Sequence, residues 1–102
     1  MKNIKVIKSY SSFNQRRYSN PWVAIVDPVT GKPDFENKVG GYTGAWGKGE
    51  EGDLYITDPQ EGVVYTYGQK DHRGGNTERG YLIYKDGELV EISSKDAIFM
   101  LA

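Results

Sequence analysis

Three turn signals divide the chain, and the spacing between them leaves room for little besides short β-strands. Asp27-Pro28-Val29-Thr30-Gly31 and Asp58-Pro59-Gln60-Glu61-Gly62 share one arrangement, and Asp86-Gly87 is a third signal. Proline presets φ for a turn, aspartate accepts backbone hydrogen bonds, and glycine takes the left-handed conformation. Around these turns lie Trp22-Val23-Ala24-Ile25-Val26, Leu54-Tyr55-Ile56-Thr57, Val63-Val64-Tyr65-Thr66-Tyr67, Tyr81-Leu82-Ile83-Tyr84 and Leu89-Val90-Glu91-Ile92. β-Branched and aromatic residues of this kind suit a pleated, half-buried surface. Asp-Gly between two such runs marks a hairpin, because a type I′ turn needs positive φ at both central positions. The Asp58–Gly62 turn predicts a second hairpin, joining Leu54–Thr57 to Val63–Tyr67.

The ends of the chain fill in the outline. Ile4–Tyr10 alternates as a half-buried strand does, with Ile4 and Val6 on one face. Trp22–Val26 is almost continuously apolar, which fits a central strand covered on both faces. Ser93-Ser94-Lys95-Asp96 has the spacing of a capping box, and Ala97-Ile98-Phe99-Met100-Leu101 would continue as a short helix. A last edge strand is the competing reading of residues 94–101. The flanks of the two Asp-Pro turns differ, so they mark one turn solution used twice rather than a repeat. A chain of 102 residues fits a single domain, 1–102. The expected fold is mainly β, a β-rich α+β arrangement. It is a compact antiparallel sheet or small open barrel of five to seven strands, with a short C-terminal helix.

Composition removes several function classes. There is no cysteine, hence no disulfide framework, thiolate metal site or Cys nucleophile. No segment has the apolar length of a signal peptide or membrane span, so the expected location is the cytoplasm, with no membrane partner. The net charge of −1 is unevenly placed. Residues 1–38 carry seven Lys/Arg against three Asp/Glu, giving +4, and residues 39–102 carry six against eleven, giving −5. Folding either mixes these halves or leaves a basic N-terminal face for an acidic partner.

The candidate chemical motifs fail on their own physics. Gly47, Gly49 and Gly52 fit G-x-G-x-x-G, but a strand-like Asp53-Leu54-Tyr55-Ile56 follows where a helix N-terminus must receive the phosphate. Glu50 and Glu51 would also repel it. His72, the only histidine, sits in a long polar loop and cannot build a conventional zinc site alone. The carboxylates of Glu50, Glu51, Asp58 and Glu61 lie in loops and turns, without the opposed environments acid–base catalysis needs. No catalytic residue, metal or cofactor is expected, and the chain reads as a non-enzymatic binding module.

Two surfaces compete for the binding role. The glycine-rich segment Gly40–Gly52 would display Tyr42, Trp46 and Lys48 to a protein partner, since aromatic anchors commonly dominate interfaces. The alternative is single-stranded nucleic acid held by Tyr10, Phe13, Arg16, Arg17, Tyr18 and Trp22, with bases stacked on rings and phosphates met by arginine. A pI near 5.8 argues against the second, because dedicated nucleic-acid binders usually carry a net positive face.

The runs Tyr18-Ser19-Asn20-Pro21-Trp22-Val23-Ala24, Gly31-Lys32-Pro33-Asp34-Phe35, Gly40-Gly41-Tyr42-Thr43-Gly44 and Tyr67-Gly68-Gln69-Lys70-Asp71 span most of the chain. Together they resemble small uncharacterised proteins encoded on phages and conjugative elements of Gram-positive gut bacteria. The resemblance implies an accessory role in the element's life or in its conflict with host defence, such as an inhibitor or modulator. It transfers no functional residue.

Overall fold

The computed structural model describes residues 3–7, 18–43, 53–71 and 75–101. Eight strands and one helix occur there: β1 (Asn3–Ile7), β2 (Tyr18–Val26), β3 (Pro33–Asp34), β4 (Gly40–Tyr42), β5 (Leu54–Thr57), β6 (Val64–Asp71), β7 (Asn76–Lys85), β8 (Glu88–Ile92) and α1 (Ser94–Leu101). They form two antiparallel sheets, one ordered β1-β5-β4 and the other β3-β2-β6-β7-β8. The mainly β class, the antiparallel pairing and the C-terminal helix agree with the sequence reading. The strands do not close into a barrel. Two of the eight, β3 and β4, are short stretches rich in Pro and Gly that carry no strand pattern of their own.

Period-two alternation assigns each face of the larger sheet its own core. Val23, Tyr65, Tyr67 and Leu82 point toward the smaller sheet and meet its buried Leu54 and Ile56, with Val6, Val39 and Tyr42 packed around them. The opposite face buries Val26, Val64 and Ala97 of α1, flanked by Tyr81, Ile83 and Ile92. β2 therefore has partners on both faces, as its continuous apolar run requires. The helix reading of residues 94–101 also holds. The Asp96 amide donates to Ser93 Oγ at 3.1 Å, and the Ala97 amide donates to the Ser93 carbonyl at 2.9 Å. Ser93 thus satisfies donors that a helix start leaves free.

The Asp86-Gly87 turn joins β7 to β8 as expected, with Lys85 paired to Glu88. Both central residues have positive φ, 53° at Asp86 and 79° at Gly87, which is the type I′ signature. The other predicted hairpin is a correction. β5 pairs with β1 and β4, while β6 pairs with β2 and β7, so the Asp58–Gly62 segment carries the chain from one sheet to the other. Asp58 at φ 47° and Gly62 at φ 79° bend the backbone away from a return path. The Gly62 amide then donates to the Tyr84 carbonyl at 2.8 Å, and the Gln60 amide donates to the hydroxyl of buried Tyr65 at 2.9 Å. These bonds tie the crossover to β6 and β7. Burial raises the Tyr65 phenol above its ordinary value, the Gln60 hydrogen bond opposes this, and Tyr84 adds a smaller upward push.

Gly40 fixes the distance between β4 and its neighbours. A Cβ there would sit 1.9 Å from the Tyr55 carbonyl oxygen and 2.9 Å from Val23 Cγ1. No other residue fits between these backbones, and that close approach holds the edge of the small sheet against β2.

Candidate functional site

The first Asp-Pro turn, unlike the second, does make a hairpin. Asp27 Oδ1 accepts from the amides of Val29 at 2.8 Å and Thr30 at 3.4 Å. The Gly31 amide donates to the Asp27 carbonyl at 2.8 Å, and the Asp27 amide donates to the Lys32 carbonyl at 2.9 Å. The chain folds back with Val26 opposite Pro33 and Ile25 opposite Asp34. There β3 ends. Asp34 caps a second turn, its Oδ1 accepting from the Glu36 amide at 3.1 Å and its Oδ2 from Asn37 Nδ2 at 2.7 Å. The backbone leaves the large sheet and crosses to β4 in the small one.

That crossing leaves a groove of about 370 Å³ beside Pro21, Trp22 and Val23, at the lower end of the size range of ligand sites. One wall is the Trp22 indole, packed edge-to-face on Phe35 with ring centroids 4.9 Å apart and planes at 88°. Phe35 is 51% exposed, although an aromatic ring of its size normally favours burial. Asn37, Lys38, Gly40 and Gly41 complete the lining. The Trp22 Nε1–H is buried and has no acceptor among the described residues. A buried donor without a partner costs roughly 1–3 kcal/mol, and native structures leave few such groups unexplained.

A second cleft, of about 550 Å³, lies between the start of β7 and the β8–α1 junction, lined by Glu78, Arg79, Tyr81, Glu91 and Ser93 among others. Its polar groups are turned on one another. The Tyr81 hydroxyl donates to Glu78 Oε2, the Tyr67 hydroxyl donates to Glu91 Oε1 at 3.2 Å, and Arg79 Nε donates to buried Gln69 Oε1 at 3.1 Å. Burial foremost, then the hydrogen bond and the charge of Glu78, push the Tyr81 phenol up to about 12. The cleft reads as a bonded network of the fold, whereas the Trp22 groove holds a half-exposed ring and a buried donor with no acceptor among the described residues.

The sequence-derived candidates fall unevenly on this geometry. Trp46 and Lys48 of the first set lie outside the described residues, as do Tyr10, Phe13, Arg16 and Arg17 of the second, together with Glu50, Glu51 and His72. Tyr42 is half-buried in β4 and packs against the larger core, so it supports the sheet rather than standing out as an anchor. The backbone of Tyr18 pairs with Asp71 at the start of β2. Trp22 lines the groove. Phe35, Asn37 and Lys38 were not singled out, and the signal for them was the Asp27–Gly31 turn: read as a hairpin, it returns Phe35 toward Trp22.

One ion pair links the two halves of the charge asymmetry. Lys5 of the basic half pairs with Asp53 of the acidic half at 3.1 Å, while Lys32 and Lys38 lie on either side of β3. No group of three or more His, Asp or Glu side chains among the described residues is placed to hold a metal ion. No described helix is long and apolar enough to cross a membrane. Comparison with protein-family models, with curated proteins and with solved structures gives no match.

Proposed function

We propose that the chain is a non-enzymatic binding module whose partner is a protein, and that the Trp22–Phe35 groove is its contact surface. The observation that carries this reading is the half-exposed Phe35 ring against an indole whose buried N–H has no acceptor among the described residues. Aromatic anchors in a groove are typical centres of binding energy; β2 carries Trp22, and the turn after β3 brings Phe35 against it. The resemblance to small proteins of phages and conjugative elements suggests the biological setting: an accessory inhibitor or modulator acting in the bacterial cytoplasm.

The test is affinity capture from bacterial lysate with the tagged wild-type chain, F35S and I98S, each with and without nuclease. Ile98 is also exposed, at 68%, on α1 and outside the groove lining. A discrete protein captured by wild type and I98S, lost with F35S and unaffected by nuclease, supports the reading. Capture that nuclease abolishes favours the single-stranded nucleic-acid reading instead.

A further inference from the structure

Resting on that reading of the groove, we infer that its occupant is an extended, largely apolar peptide segment carrying one carboxylate. Three features define this chemistry. Trp22 and Phe35 offer apolar and aromatic surface, which an aromatic-lined groove uses to hold extended or proline-rich peptide. The buried Trp22 Nε1–H lacks an acceptor among the described residues, and a peptide backbone brings a carbonyl every residue. Lys38 is the one charged side chain among the described residues lining the groove, and a carboxylate complements it. A nucleic-acid strand fits less well. It brings a phosphate at every step to one lysine, while Asp34 and Glu36 stand beside Phe35 in the same turn and repel further phosphates. The indole N–H is buried, so on this inference the acceptor displaces the Phe35 ring packed against the indole. Phe35 sits on a turn at the edge of the sheet, beyond the two residues of β3, and that ring can move without disturbing a ladder.

The experiment uses the full chain with W46F, so that one indole remains, labelled with ¹⁵N. Four probes are titrated: the capped peptides Pro-Leu-Pro-Glu-Pro-Leu-Pro, Pro-Leu-Pro-Lys-Pro-Leu-Pro and Pro-Leu-Pro-Gln-Pro-Leu-Pro, and the oligonucleotide dT12. The expected result is saturable, downfield movement of the Trp22 Nε1–H resonance with the Glu peptide alone. K38E should weaken that binding at least fivefold and let the Lys peptide bind. Equal or tighter binding of the Gln or Lys peptide at Trp22 overturns the inferred carboxylate while leaving the groove as the binding site. A shift by dT12 alone, or none at Trp22 with any probe at millimolar concentration, overturns both.

Discussion

Replacing Gly40 by alanine tests how the two sheets are joined. A Cβ at this position would lie 1.9 Å from the Tyr55 carbonyl oxygen, and the opposing atom is backbone. Relief even to 3.0 Å requires β4 and β5 to separate by more than 1 Å at the register pair Gly40–Ile56. The ladder hydrogen bonds of a three-residue strand do not survive that separation. Two or three of them, at about 1 kcal/mol each, are lost together with the Thr57 amide bond to the Val39 carbonyl, now 2.8 Å. Contact with Val23 Cγ1 at 2.9 Å adds overpacking of about 1–3 kcal/mol. The expected loss is about 4–7 kcal/mol, a large part of the stability of a small domain. It should lower Tm by at least about 16 °C, taking roughly 4 °C per kcal/mol for a chain near this size. Urea unfolding followed by far-UV circular dichroism measures it. Gly41→Ala is the control, because its Cβ would meet only the end of the Tyr55 side chain at 3.0 Å, and it should cost under about 1 kcal/mol. A G40A protein within about 0.5 kcal/mol of wild type would refute the packing of β4 described here.

Three further outcomes follow from local geometry. Gly87→Val places a β-branched residue at φ 79° and should destabilise by about 1–3 kcal/mol in the same urea assay, although the space around Gly87 is open. Ser93→Ala removes the acceptor of the Asp96 amide; a loss of about 1 kcal/mol and faster amide exchange in the first turn of α1 are expected. Tyr81 should titrate near pH 12 by ultraviolet absorbance. A raised phenol pKa means that its stabilising effect is complete below pH 10 and declines as the pH climbs from 10 toward 12. E78Q should move that titration to lower pH, and an unchanged titration would disconnect Tyr81 from Glu78.

What the sequence disclosed depended on how local the determinant was. The Asp86-Gly87 hairpin needs only two residues with positive φ and two flanking runs, all within twelve positions, and it was legible. So was α1, because Ser93 and Asp96 sit within one turn of each other. The Asp58–Gly62 crossover was not, since a turn motif says that the chain bends and not which strand receives it. β5 joins β1 across more than forty residues, through Ile4 opposite Ile56, and only burial of the shared core decides that pairing. β3 and β4 escaped notice because Pro33-Asp34 and Gly40-Gly41-Tyr42 lack strand propensity; their neighbours place them. The groove shares that origin. Trp22 drew attention as an aromatic near basic residues, but its contact with Phe35 exists only after the hairpin closes, and an unpartnered indole nitrogen is a property of packing alone.

The central claim, that a protein partner engages the Trp22–Phe35 groove, is tested most directly by photocrosslinking in bacterial cells. p-Benzoylphenylalanine is placed at Phe35 in one variant and at Ile98 in another, and both exposed sites are irradiated. The account predicts a discrete protein adduct from position 35 that resists nuclease, disappears with protease, and is absent from position 98. Adducts from position 98 with none from position 35, or a nuclease-sensitive adduct at position 35, would contradict it.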